Sequence, residues 1–196
     1  MRFHLGAIPS SPDFVPDASW RSLREPSPWL ANLLALPIGV VAAVIVAVLW
    51  FLATPLRDIT PAMSLPAFLL SFASIVVVHE LIHALVHPMA GRSPHSILGF
   101  WKSLGFYAHY DGEMSRIRLV ACLLMPLFII SIVPLLVSAA AQVSNGWVAF
   151  VSALNALCAS VDMLLAGLIL YQIPANRIVR FKSWRIYWRE HDTLAA

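Results

Sequence analysis

The sequence predicts an all-α membrane protein, with four transmembrane helices and a short β-hairpin-like loop between helices 2 and 3. Three observations predict it. Hydrophobic residues make up 60% of the 196-residue chain against 12% charged, with a mean hydropathy of +0.79, whereas soluble domains are about half apolar and a quarter charged. The apolar residues gather in four runs of the ~20 residues that cross a ~30 Å hydrocarbon layer at 1.5 Å per residue. Twelve of the thirteen Lys and Arg residues fall in three stretches that a four-helix path puts on one side, as the positive-inside rule requires.

Residues 1–28 carry Pro9, Pro12, Pro16, Pro26 and Pro28 and read as irregular chain, with no apolar run after Arg2 to make a secretory signal. The first span starts near Trp29 and covers Leu33–Leu52. A linker from Thr54 to Leu65 holds Pro55, Arg57, Asp58 and Pro61. The second span runs from Pro66 to His87 and stops at Pro88. Ile97–Trp101 and Phe106–Tyr110 alternate as two short strands, and Asp111-Gly112 marks a turn. The third span, Leu119–Ala141, contains Pro126 and Pro134, which predict kinks. A short connection at Gln142–Gly146 makes the fourth span, Trp147–Tyr171, its antiparallel neighbour. The whole chain, 1–196, reads as one integral membrane domain: an N-terminal segment at 1–28, a helical core at 29–174, and a basic, aromatic tail at 175–196. The basic residues sit in the N-terminal segment, in the loop after the second span and in the tail, so both termini are expected to be cytoplasmic.

Polar residues inside the spans carry the functional reading. An acidic side chain at the centre of a membrane helix costs about 2.5–3.5 kcal/mol, so it needs a task. Glu80 and Asp162 are the acidic residues deep in the spans, and Glu80 lies in His79-Glu80-Leu81-Ile82-His83. Two histidines four apart on a helix differ by about 40° of rotation and ~6 Å of rise, so both rings project onto one point. That suits two ligands of a tetrahedral zinc, with the intervening glutamate placed as general base. A catalytic zinc takes three protein ligands and leaves a position for water. Asp162 is the favoured third ligand, because its depth in the fourth span matches that of the histidines to within about two turns. Its other reading is a helix-packing hydrogen bond to Ser or Thr. His87 is a rival ligand that needs an early helix break, and His109, Asp111 and Glu113 follow behind it. Asn155, on Asp162's face with Ser152, contacts substrate or an oxyanion, or joins helices. His4, His95 and His191 have no partner pattern and read as solvated.

The order HELIHALVHP at 79–88, GFYAHYDGEMSRIRL at 105–119, LLMPLF at 123–128 and NALCASVDMLLAG at 155–167 resembles a zincin peptidase family of small bacterial membrane proteins. More broadly it is similar to the site-2 proteases, intramembrane zinc metalloproteases with HExxH in one membrane helix and an aspartate ligand in a later one. The resemblance implies His79, His83 and Asp162 as zinc ligands and Glu80 as catalytic base. The departure is that Asp162 sits in Ser-Val-Asp-Met, without the Pro and Gly of the Asn-Pro-Asp-Gly context.

The expected cofactor is Zn²⁺, and the expected partners are the lipid bilayer and a membrane-protein or peptide substrate. An unwound substrate can add to a strand edge at 97–110. The tail, with Phe181, Trp184, Tyr187 and Trp188 among its cations, suits an anionic headgroup layer. No basic block interleaved with base-stacking aromatics precedes the tail, which argues against nucleic acid. Cys122 and Cys158 fall in apolar runs and read as buried hydrophobes. Against the protease reading stand a zinc hydrolase of a non-peptide lipid-borne bond and a non-catalytic scaffold or chaperone with a structural metal.

Overall fold

A computed structural model describes residues 1–55, 64–103 and 105–190. Arg57, Asp58 and Pro61 of the expected linker, and His191 of the tail, lie outside these. The helices are α1 (Pro28–Ala53), α2 (Leu65–Val86), α3 (Arg116–Pro126), a π-helical segment (Leu127–Ile132), α4 (Val133–Ala141), α5 (Gly146–Cys158) and α6 (Ser160–Gln172). The strands are β1 (Arg2–Leu5), β2 (Arg21–Ser22), β3 (Ser96–Trp101), β4 (Gly105–Tyr110), β5 (Met114–Ser115), β6 (Arg177–Lys182) and β7 (Arg185–Glu190). The chain divides into two compact units, one made of Met1–Pro26, Glu80–Leu123 and the chain from Leu165, the other of Ser27–His79 and Leu124–Leu164.

The second unit is helical. Three helical stretches, Pro28–Ala53, Leu65–Val86 and Arg116–Ala141, are long and apolar enough to cross a membrane, and α5 with α6 makes a fourth if that bent pair is one span. Large apolar side chains stay uncovered along α1, with Leu33 at 52%, Val41 at 58% and Leu52 at 72% exposure. Exposed apolar side chains in this number are what a helix covered by a membrane or a partner presents. Proline starts α1 at its first turn, where its missing N–H costs nothing. Asn145 caps α5 by accepting from the Trp147 and Val148 amides, worth about 1 kcal/mol. Inside, Val46 and Trp50 of α1 pack with Leu135 of α4 and Ala156 of α5.

Two features depart from straight spans. The third is interrupted by the π-helical segment just after Pro126, where a kink was expected. The fourth was read as one continuous helix, but it breaks at Ala159, where α5 and α6 diverge by 49°. Gly39 of α1 lies against this break. A Cβ there would come within 2.7 Å of both the Leu157 carbonyl oxygen and the Ser160 Cβ, so a side chain at 39 would push the two elements apart.

The first unit corrects the β-hairpin expectation. The expected strands exist as β3 and β4, but the N-terminal β1 pairs parallel with β3, giving a three-stranded sheet in the order β1-β3-β4. A four-stranded sheet, β2-β7-β6-β5, takes in the rest. Residues 1–28 are therefore not wholly irregular, and the tail is a hairpin with Val179 and Ile186 fully buried. Cations and rings stack between the tail and the N-terminal segment: Arg21 of β2 on Trp188, and Arg180 and Arg189 of the tail on Phe14 and Trp20. Alternating Arg and apolar residues here serve strand packing as well as charge.

Glu25 joins this sheet by accepting from the Ile186 amide, and burial pushes its carboxyl up to about 7. The folded state then holds a proton that the unfolded chain has lost between about pH 4.5 and 7, so stability falls as pH rises through that window. Allowing for partial exposure, the loss is about 2 kcal/mol. Glu25→Gln keeps the acceptor for Ile186 and removes the charge. Thermal unfolding in detergent is expected to show the variant more stable than wild type at pH 8 and equal to it at pH 4; equal melting at both would refute the assignment.

Candidate metal centre

One turn of α2 brings the histidine–glutamate motif together: ligand atoms of His79, Glu80 and His83 all lie within 4.8 Å of one another. Both histidines are buried, at 6% and 8% exposure. The helix periodicity alone accounts for this convergence. What the sequence left open is the orientation of each ring.

His79 is fixed from α5 and α6. Its Nδ1 lies 3.0 Å from Asn155 Oδ1, and its Nε2 lies 3.0 Å from Asp162 Oδ2. The Asn155 amide is oriented by its other end, where Nδ2 donates to the Pro126 carbonyl and to Ser131 Oγ. Its oxygen must then be the acceptor, so His79 carries a proton on Nδ1 and turns Nε2 toward Asp162. The ring nitrogen and the carboxylate oxygen make a direct hydrogen-bonding contact at 3.0 Å. Two ligands of one tetrahedral zinc, at about 2.0–2.1 Å from the ion, stand about 3.3 Å apart. The pair thus has the spacing and the chemistry of two donors to one cation.

Asp162 lies three residues after the helix break at Ala159. It sits in the first turn of α6, where a carboxylate also complements the helix dipole. Asn155, by contrast, is completely buried and its amide is engaged on three sides inside the protein. Of its two sequence readings, this geometry favours joining helices, with the orienting of His79 added; it does not leave the amide facing substrate. Ser152 works in the same layer, donating to the Ile130 carbonyl and accepting at its own carbonyl from Ser131.

His83 is oriented from α3. Its Nδ1 lies 2.7 Å from the Cys122 carbonyl oxygen, which again requires the proton on Nδ1 and turns Nε2 away. Metal-binding histidines are characteristically held this way, by an acceptor on the ring's far side. Glu80 is held by β4, whose Ala108 amide donates to Oε2 at 2.7 Å. β4 is an edge strand of its sheet, and Ala108 N–H points from its unpaired side to the carboxylate. Sequence reasoning missed the Cys122 carbonyl, Ala108 N–H and Ser131. Only the first had a signal: a proline four residues after Cys122.

The remaining candidates lie elsewhere. His87 is buried just beyond α2, its ring 5.3 Å from Tyr110, and burial pushes its pKa down to about 4. His109 packs on Phe181 and is likewise pushed down to about 4 by burial. Asp111 pairs with Arg2 and with His95, and Glu113 pairs with Arg189. His95 therefore has a partner that the sequence did not suggest, while His4 stays near the surface against the Ala7 carbonyl.

Neither the curated proteins nor the solved structures contain a match. The family model described as "Putative zincin peptidase" matches residues 72–178. That stretch holds the α2 motif, both strands of the loop, the proline-bearing third span and the α5–α6 break. It is more than half of the 196 residues, and the chain belongs to this zincin peptidase family.

Proposed function

We propose that this protein is a zinc-dependent intramembrane metallopeptidase that hydrolyses peptide bonds of membrane-embedded or membrane-proximal substrates. The observation that carries the reading is the pair of ring orientations: both histidines of one helical turn donate Nδ1–H to a fixed oxygen and turn Nε2 to the other side. In this reading His79, His83 and Asp162 hold the ion and leave a fourth position for water. Zinc bound there supplies a Lewis acid and a water acidified toward pKa ~7. Glu80, steadied by the Ala108 amide, takes the proton from the attacking water and returns it to the leaving amine. Asn155 keeps His79 in its tautomer. The long apolar spans support placement in the bilayer, and the distribution of basic residues supports cytoplasmic termini.

The likeness to site-2 proteases enters at Asp162. There a Pro- and Gly-containing context aims the aspartate, and here the α5–α6 break against Gly39 takes that part. β4 is the strand to which an unwound substrate adds, its outer edge lying beside Glu80. Proline at Phe106 or Tyr110 is expected to abolish cleavage of a reconstituted membrane substrate while leaving bound zinc in place; undiminished cleavage would remove the edge from the mechanism. The reading as a whole is tested by metal analysis of the purified full chain. It requires about one zinc per chain, and carefully prepared wild type without zinc ends it.

A further inference from the structure

We infer that Pro126 is a positioning residue of the metal centre, setting the tautomer of His83 through the backbone. A helical residue at 126 would donate its N–H to the carbonyl four residues back, that of Cys122. Proline has no N–H to give. The Cys122 carbonyl accepts from His83 Nδ1 at 2.7 Å, so the bond that fixes the ring occupies the acceptor that proline leaves open. The same rule operates one turn and more along the span. Pro134 also brings no N–H, at the end of the π-helical segment, and there the Ile130 carbonyl accepts from Ser152 Oγ. The two prolines thus act as two addressed vacancies in the helix ladder, and only the first is addressed to a histidine of the motif. Pro126 also serves His79 by its own carbonyl, which holds Asn155 Nδ2 at 3.1 Å. That second role needs only a backbone oxygen and survives substitution.

This inference rests on the reading of His83 as a metal ligand only for its consequence; the hydrogen bond itself can be tested without metal. The experiment uses the full chain in detergent, metal-stripped and ¹⁵N-labelled at histidine, with signals assigned through single His79→Gln and His83→Gln variants. Wild type is expected to show His83 protonated at Nδ1. Pro126→Ala, which restores a competing N–H, is expected to shift His83 toward a tautomer mixture and leave His79 unchanged. Zinc titration against a competing chelator is expected to give an affinity about 10–100-fold weaker for Pro126→Ala and unchanged for Pro134→Ala. His83 protonated at Nε2 in wild type overturns the inference, as does a Pro126→Ala protein with wild-type tautomer and affinity. Equal weakening by Pro134→Ala overturns it too, because straightening the helix would then be the cause. If wild type binds no zinc but Pro126→Ala still shifts the His83 tautomer, the positioning stands and the metallopeptidase reading fails.

Discussion

Glu80→Gln is expected to purify with the same zinc content as wild type and to lose peptidase activity by about 10²–10⁴-fold, the range for removal of a general base. The substitution is nearly isosteric, and its amide oxygen can still accept from Ala108 N–H, so the local geometry survives. Only the capacity to take a proton is lost. A carboxylate that served as a fourth metal ligand would behave otherwise: its amide would bind zinc weakly, and metal content would fall together with activity. A purely structural site would lose neither. Zinc content and turnover, measured on the same preparation, therefore separate the three cases. Retained activity in Glu80→Gln removes Glu80 from the chemistry.

How much of this was legible in the sequence depends on the range of the interactions. The long apolar helices were readable because the length and hydropathy of a run are properties of that run by itself, and their limits came within a few residues at α1 and α2. β3 and β4 were readable because alternation and a turn signal are local. The sheets were not. β1 is four residues long and pairs with a strand about ninety positions away, Arg2 against Ile97, with no local pattern that names its partner. The break at Ala159 has no proline or glycine of its own; its counterpart is Gly39 on another helix. The site divides in the same way. His79, Glu80 and His83 converge by helix geometry and were read from spacing. The oxygens that orient the rings belong to Asn155 and to the Cys122 backbone, and a carbonyl leaves no mark in a sequence except through the proline that frees it.

Asp162→Ala is expected to weaken zinc binding by more than about 100-fold, beyond what loss of an orienting residue alone brings about, and to abolish activity at ordinary zinc concentrations. The competing account keeps Asp162 as a packing residue that ties α6 to His79 by their 3.0 Å contact. Under that account the conservative change Asp162→Asn preserves zinc, since an amide can offer either an acceptor or a donor to the ring. Under the ligand account Asn is a poor substitute, because the neutral oxygen supplies no charge to offset the cation and its amide nitrogen cannot coordinate. The pair of variants therefore reads differently: Ala and Asn both lose zinc if Asp162 is a ligand, while Ala alone perturbs the site if it is a packing residue. Asn155→Leu gives the scale for comparison. It leaves every proposed ligand in place and removes the acceptor at His79 Nδ1 together with the Nδ2 donor to Pro126 and Ser131, so its loss is expected at about 10–100-fold. An Asp162→Ala affinity no weaker than that of Asn155→Leu would reduce Asp162 from ligand to support, and the third position of the metal would have to be sought elsewhere.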